Sequence, residues 1–282
     1  MTMNEIRKPA MNSPAWKEKN VQHSGLTYLN PCTPPPVANW QRMGPYSGPT
    51  HLYKEPVQGC CGNCYLIAAL ASVAWAAQTR ISHYPSFQFM DPITNTNSVV
   101  NLTSENLPVD ANNQLIFARS ETNYTWPMLY EKAYACWKGC RSLDGNPDHP
   151  DISLLPGGAG INGLISVSRY AHHQTFLTGQ QTPNQIIANI LRLPSGKTTY
   201  PSVACTQNPD HTYSLLGVYQ GTHIVLRNPT VRDPEPPAAL AAGVWNAGPG
   251  ALINFADAND GIFAISANDF KTNFYSYGYV RP

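Results

Sequence analysis

One segment of the sequence is apolar on every side, and it constrains the fold more than any other. Residues 64–78 read CYLIAALASVAWAAQ, a run of strong helix formers without a polar face. Such a helix must be covered by protein all round, so it is predicted to lie in the middle of a core. Its apolar run, residues 66–77, is about twelve residues long, whereas a membrane span needs about 20.

The residues just before this helix form a predicted tight turn that ends in a cysteine. Residues 58–63 read QGCCGN, and Cys64 opens the helix. The positive end of a helix dipole stabilises a thiolate, so this position predicts a nucleophile. The string Cys61-Gly-Asn-Cys-Tyr nearly fits the papain signature C-G-[SA]-C-[WY], with Asn63 as the one departure. The alternative is a cysteine that only packs in the core.

Gln58 is a candidate for the oxyanion hole. It stands six residues before Cys64, so its side-chain amide can be aimed at the same place as the Cys64 backbone N–H. Two such donors stabilise the oxyanion of a tetrahedral intermediate. The sequence therefore predicts Gln58 as the second donor.

The base is predicted from its distance along the chain. In papain-like proteases the histidine lies roughly 130–150 residues after the cysteine. His211 follows Cys64 by 147 residues. The rival histidines fit less well, because they lie on the opposite face of a strand, in polar stretches or among loop residues: His223, His172, His173, His51, His83 and His149.

A predicted hairpin brings an orienting residue to this base. The segments 211–219 and 223–228 are rich in β-branched and aromatic residues, which predicts two strands. If Gln220-Gly221 is a two-residue turn, His211 and Asn228 become diagonal neighbours on one face of the hairpin. A three-residue loop would reverse that arrangement. Asn228 is accordingly the predicted orienter of the base.

The remaining pattern indicates an α+β protein with two lobes. An extended, proline-rich arm is expected over residues 1–50, where it either wraps the domain, on or near the cleft, or stays disordered. Residues 51–160 are expected to form a helical lobe that carries the nucleophile. Residues 161–282 are expected to form a β-rich lobe that carries the histidine and the asparagine.

Several shorter elements are predicted within the lobes. Residues 126–139 predict an amphipathic helix, and the glycine cluster at 156–160 predicts a hinge between the lobes. A short helix is expected near 185–193. Further strands are expected near 261–266 and 275–280.

The bulk composition excludes several classes of partner. The net charge is +1 and the charged fraction is 12%, with no basic run beyond Arg7-Lys8. Nucleic acid and acidic membrane surfaces are therefore not expected as partners. The N-terminus lacks the apolar stretch of a signal peptide, so a cytoplasmic protein is expected. Its 7 cysteines, odd in number and irregular in spacing, predict neither a disulfide framework nor a zinc site.

Beyond these local patterns, the chain resembles the catalytic domain of calpains from about residue 45 to the C-terminus. Five segments carry the resemblance in order and spacing: residues 58–72 (QGCCGNCYLIAALAS), 126–135 (WPMLYEKAYA), 211–218 (HTYSLLGV), 226–229 (LRNP) and 260–270 (DGIFAISANDF). The resemblance implies a papain-like two-lobed fold. It also implies Cys64, His211 and Asn228 as a catalytic triad, with Gln58 in the oxyanion hole.

The chain departs from the calpain pattern in two respects. Calpains usually follow the asparagine segment with tryptophan and glycine, where the tryptophan shields the histidine–asparagine hydrogen bond, but Thr230-Val231 stand here. The acidic loops of calcium-dependent calpain cores are not recognisable, and the stretch before Gln58 offers only Glu55. A calcium cage needs six to eight oxygens, so no cofactor or metal is expected.

The expected activity is that of a calpain-like cysteine endopeptidase, with a protein or peptide as substrate and a thioester acyl-enzyme as intermediate. Two alternatives remain open at the level of sequence. The same triad can serve acyl transfer, deamidation or peptide ligation, because the steps up to the acyl-enzyme are identical. The third possibility is a calpain-like module that binds a partner through its cleft without catalysis.

Overall fold

The structure is a computed structural model that describes residues 33–46, 51–122, 124–207, 210–231, 240–257 and 260–282. These residues form five α-helices: α1 (Cys64–Ala76), α2 (Trp126–Trp137), α3 (Gly160–Ser168), α4 (Pro183–Asn189) and α5 (Ala267–Asn273). The strands of the first half are β1 (Asn39–Gln41), β2 (Pro56–Val57), β3 (Ser86–Met90), β4 (Asn97–Asn101), β5 (Leu107–Val109) and β6 (Arg119–Ser120). Those of the second half are β7 (His172–Leu177), β8 (Ser202–Gln207), β9 (Asp210–Tyr219), β10 (His223–Arg227), β11 (Val244–Asn246), β12 (Leu252–Asn254), β13 (Ile262–Ser266) and β14 (Ser276–Arg281).

Helix α1 lies at the centre of the core, as predicted. Every residue from Tyr65 to Trp75 is buried. Its polar groups bind the sheet, since Ser72 Oγ donates to Ser202 O at 2.8 Å and Trp75 Nε1 donates to Leu216 O at 2.8 Å. No helix in the described part of the chain is long and apolar enough to cross a bilayer.

A six-stranded antiparallel sheet forms the second half, in the order β13-β10-β9-β8-β14-β7. One face contributes Val203 and Leu216 to the core cluster around α1 and α3. The other face forms a separate apolar cluster with α4 and α5, which includes Tyr213, Phe263 and Phe270. Helices packed beside this antiparallel sheet confirm the predicted α+β class.

Helix α3 occupies part of the glycine cluster in which only a hinge was predicted. It begins at Gly160 and packs closely on α1. A Cβ atom at Gly163 would lie 2.6 Å from the Tyr65 carbonyl oxygen and 3.2 Å from Ala69 Cβ. Glycine is therefore needed at 163 because the two helix backbones approach too closely for a side chain.

The amphipathic character predicted for α2 is wrong, because its polar residues face inward. All residues from Trp126 to Ala135 are buried, including Glu131 and Lys132. Lys132 Nζ lies 2.8 Å from Asp148 Oδ2, and the two side chains are 0% and 5% exposed. A buried charge is tolerated when it is paired and hydrogen-bonded, as here.

The described portion of the predicted arm, residues 33–46, packs on the first half of the molecule. Strand β1 pairs with β5, and the Trp40 ring stacks on His149 with centroids 4.2 Å apart. Pro45 O accepts a hydrogen bond from Thr125 N at 3.0 Å, immediately before α2. The rest of the arm, with Trp16 and Tyr28, lies outside the described residues, so its regulatory role stays a prediction.

The close contact between α1 and α3 predicts a stability effect. Gly163→Ala should lower the free energy of unfolding by about 1–3 kcal/mol, because overpacking against backbone outweighs the better helix propensity of alanine. Gly179→Ala is the matched control, since a Cβ there meets nothing within 4 Å. Urea denaturation of both variants checks this, and equal midpoints would contradict it.

Candidate active site

A glycine turn packs tightly against a neighbouring segment and delivers Cys64 to the start of α1. A Cβ atom at Gly59 would lie 1.8 Å from Phe117 O, so only glycine fits there. Cys60 N donates to Ile116 O at 3.1 Å. The turn is thus fixed before the helix begins.

The ring of His211 is hydrogen-bonded to Asn228. The distance from His211 Nε2 to Asn228 Oδ1 is 3.0 Å. Asn228 Oδ1 also accepts from Thr230 N at 3.1 Å, which identifies this atom as the amide oxygen. Nε2 is therefore the donor, and Nδ1 is the basic nitrogen of the neutral ring.

The hairpin brings this pair together by a route that differs from the predicted one. Tyr219 pairs with His223, so the loop has three residues rather than two. The three-residue loop alone would place His211 and Asn228 on opposite faces of the hairpin. The register shift between Val225 and Leu226 returns the two residues to one face. Arg227 pairs with Ser214, and Asn228 follows at the level where the side chain of His211 can reach it.

The sheet supplies cover to His211 where the expected tryptophan is missing. The Tyr213 ring packs edge-on against His211, with centroids 4.9 Å apart and planes at 89°. The segment after Asn228 turns sharply, and Val231 takes a φ of 58°, in the left-handed region that favours glycine. Val231 occupies the position at which the calpain pattern has glycine. Glycine adopts this left-handed conformation without strain, which explains its place in that pattern.

The Cys64 side chain lies against Thr212, the residue after His211. Burial raises the pKa of the Cys64 thiol to about 11, although hydrogen bonds from the Thr212 main chain and hydroxyl oppose the rise. The thiolate expected from the helix dipole is therefore disfavoured by desolvation. Burial lowers the pKa of His211, with the Asn228 hydrogen bond opposing it, so this imidazole is neutral at pH 7.

Gln58 connects the nucleophile turn to the asparagine segment. Its Nε2 donates to Cys61 O at 2.7 Å, and its backbone N donates to Pro229 O at 2.8 Å. An amide nitrogen carries two hydrogens, so a second donor remains at Nε2 after the bond to Cys61. Gln58 Oε1 is buried and has no hydrogen-bond partner among the described residues.

The cysteine pattern predicted no disulfide framework, but Cys60 is disulfide-bonded. Free thiols are found at Cys61, Cys64, Cys136, Cys140 and Cys205, and Cys32 lies outside the described residues. Cys205 lies beside the site, with its Sγ 3.7 Å from Thr212 Oγ1. Nothing in the sequence indicates this neighbour, since β8 was not predicted.

The rival histidines lie elsewhere. His172 and His173, in the predicted polar stretch, are exposed and belong to strand β7. His51 and His83 face each other with ring centroids 4.8 Å apart. His149 Nδ1 lies 2.7 Å from Asp144 Oδ2.

Glu55, the carboxylate that precedes Gln58, and Asp260 are both engaged by protein donors. Glu55 is fully buried, and its oxygens accept from Leu52 N at 3.1 Å, from Thr122 Oγ1 at 2.9 Å and from Trp126 Nε1. Asp260 pairs with Lys54 Nζ at 3.3 Å. An ammonium group competes with a cation for the same oxygens, so these residues do not fit a calcium site.

Comparison with known proteins agrees with this thiol-bearing type of site in an α+β domain. A sequence profile described as "Calpain family cysteine protease" matches residues 22–279. The chain therefore belongs to the calpain family of cysteine proteases.

Individual relatives are distant. A thiol protease of Porphyromonas gingivalis (strain ATCC BAA-308 / W83) is 24% identical over 86% of this chain and 58% of its own length. Calpain-5 of Mus musculus is 29% identical over 58% of this chain and 28% of its own length. The calpain-1 catalytic subunit of Gallus gallus is 27% identical over 48% and 24%. The chain thus spans less than two thirds of each of these relatives.

The raised pKa of Cys64 predicts a steep pH dependence of its reactivity. Alkylation of Cys64 by iodoacetamide should accelerate about tenfold per pH unit from about pH 6 to about pH 9, because only the thiolate reacts. Peptide mapping by mass spectrometry separates Cys64 from the other thiols. A rate that is flat from about pH 5 to about pH 8 would instead indicate a preformed thiolate–imidazolium pair.

Proposed function

We propose that this protein is a cysteine endopeptidase of the calpain family in which Cys64, His211 and Asn228 form the catalytic triad. The observation that carries the proposal is the 3.0 Å hydrogen bond between His211 Nε2 and Asn228 Oδ1. Thr212, the residue after His211, interacts with Cys64 at the start of a buried helix. That bond selects one tautomer of the ring and leaves Nδ1 as the base. Membership of the family supports a protein or peptide as substrate.

The proposed reaction begins from a neutral thiol and a neutral imidazole. As Cys64 Sγ attacks the peptide carbonyl carbon, its proton passes to His211 Nδ1 and the carbonyl oxygen becomes an oxyanion. Collapse of this intermediate breaks the C–N bond, and His211 returns the proton to the leaving amine. Water, deprotonated by His211, then attacks the thioester carbonyl carbon. The C–S bond breaks, the acid is released, and His211 returns the proton to the Cys64 sulfur.

Gln58 is the proposed side-chain donor to the oxyanion. Its amide is held in place by the bond to Cys61 O, so it is aligned before the substrate arrives. The backbone N–H of Cys64 is the proposed second donor, because it is the first amide of α1 and has no partner within the helix. Removal of one such donor typically costs about 10²–10³ in kcat.

Substitutions in the triad test this proposal. Cys64→Ala and His211→Ala should each lower kcat/KM for a peptide substrate by at least about 10³-fold, because nucleophile and base act as one unit. Asn228→Ala should cost less, about 10–100-fold, since it removes only orientation. Cys140→Ala is the matched control, as a free thiol outside the site.

Product analysis distinguishes hydrolysis from acyl transfer by the same triad. Mass spectrometry with and without an added amine should show hydrolysed products in both cases. An amide formed with the amine would identify acyl transfer by the same triad. Turnover retained in Cys64→Ala would refute the assignment of the nucleophile.

Calcium independence is a separate expectation. Because Glu55 and Asp260 are held by protein donors, we expect equal activity in chelator and in millimolar calcium. Peptide hydrolysis should be compared in both buffers at matched ionic strength, with magnesium as the control cation. A rise of more than about threefold that is specific for calcium would contradict this, since it would require oxygen ligands other than these.

A further inference from the structure

A buried carboxylate touches the residue that precedes Cys64. Glu131 belongs to α2 and is 1% exposed. Its Oε1 accepts from Asn63 Nδ2 at 2.6 Å, and its Oε2 accepts from Ala118 N at 2.9 Å. Each oxygen of Glu131 thus holds a different segment of the chain.

Asn63 stands at the N-cap position of α1, but its side chain does not cap the helix. Asparagine usually serves at such a position by accepting from the first backbone amides of the helix. Here the backbone oxygen of Asn63 accepts from Leu66 N at 2.9 Å, and the side chain is turned to Glu131. The orientation of Asn63 is therefore determined by the carboxylate.

The second segment held by Glu131 forms the back of the nucleophile turn. Ala118 follows Phe117, whose carbonyl oxygen lies where a side chain at Gly59 would be. Ile116 O accepts from Cys60 N at 3.1 Å. Glu131 therefore clamps both the last residue of the turn and the segment against which the turn rests.

We propose that Glu131 is a positioning residue for the nucleophile: by binding Asn63 and Ala118 together, it sets the place of the Cys64 sulfur and of the Cys64 backbone N–H. It acts through Asn63 and does not touch the substrate. The inference rests on the proposed role of Cys64 as nucleophile.

The electrostatics of the clamp suggest how to test it. Burial raises the pKa of Glu131 to about 7, although the hydrogen bonds from Ala118 and Asn63 oppose the rise. Cys61 is the titratable neighbour on the turn, and the Glu131 charge helps to raise its pKa. Lys132, the next residue of α2, is directed to Asp148 instead. A second carboxyl at position 63 would therefore share one proton with Glu131 and lose it as the pH rises.

The decisive experiment exchanges the two hydrogen-bonding roles. In N63D the two carboxyls hold one proton at about pH 6 and repel each other at about pH 9, once that proton is lost. In N63D/E131Q the amide introduced at position 131 donates to the carboxylate introduced at position 63, while the amide oxygen accepts from Ala118. Both hydrogen bonds and the single negative charge are thereby restored. The readouts are kcat, KM and the rate of Cys64 alkylation, each divided by the wild-type value at the same pH.

For N63D we expect the alkylation and kcat ratios to fall at least about tenfold between about pH 6 and about pH 9, with a smaller change in KM. For N63D/E131Q both ratios should stay flat and within about threefold of wild type. Glu131→Met, which leaves both donors unpaired, should lower kcat at every pH, and Cys140 alkylation in the same samples reports any general loosening of the fold.

An N63D ratio that does not depend on pH, or a double variant that remains impaired, would overturn the positioning role. The double variant keeps the test valid even if N63D or Glu131→Met unfolds. Alkylation of Cys64 does not require peptidase activity. If the proposed function is wrong, turnover is retained in Cys64→Ala. If the positioning role of Glu131 is wrong, the failure appears instead in the N63D and N63D/E131Q ratios, so the two outcomes are distinguishable.

Discussion

The burial of α1 is the constraint on which the rest of the structure depends. A helix without a polar face has to be enclosed, and the chain encloses it with α3 on one side and strands β8 and β9 on the other. The buried hydroxyl and indole groups of Ser72 and Trp75 are satisfied by the backbone of the sheet. Because the start of this helix lies beside the first residues of β9, Cys64 contacts Thr212, the residue after His211.

Paired charges inside the protein hold distant segments in register around this core. Only 12% of the residues are charged, yet several of these are buried. Lys132 is paired with Asp148, and the fully buried Arg227, immediately before Asn228, is paired with Glu121 at 3.3 Å. Burying a charge is costly unless a partner and hydrogen bonds compensate for it. Such pairs therefore specify which segments meet, and the Arg227–Glu121 pair joins the two halves of the chain next to Asn228.

Local signals in the sequence were sufficient for the helix, the turn and the order of the site residues. The extreme apolarity of α1 indicates a buried helix, and the glycines before it indicate a tight turn. The hairpin was predicted less well: its loop has three residues, and the bulge at Val225/Leu226 compensates for the additional one. His211 and Asn228 are neighbours because the longer loop and the bulge compensate for each other. Neither of these two features has a clear signal in the sequence.

The parts that could not be predicted depend on tertiary contacts. A polar residue such as Glu131 normally marks an exposed helix face, and only the approach of Asn63 and Ala118 makes its burial possible. Helix α3 was missed because its glycines indicate a loop, whereas Gly163 allows close packing on Tyr65 and Gly160 allows close packing on Thr212 and Val203. The disulfide at Cys60 could not be inferred from an odd number of irregularly spaced cysteines.

The most direct test of the central claim is to trap the covalent intermediate. The protein would be mixed with an activated peptide ester, quenched in acid within the first turnover and digested for mass spectrometry. The account predicts an acyl group on the peptide that contains Cys64, bound as a thioester that neutral hydroxylamine removes. It also predicts slower loss of this adduct in His211→Ala than in the wild type, because the same base activates the water. An acyl group on another residue, or turnover without any acyl-enzyme, would contradict it.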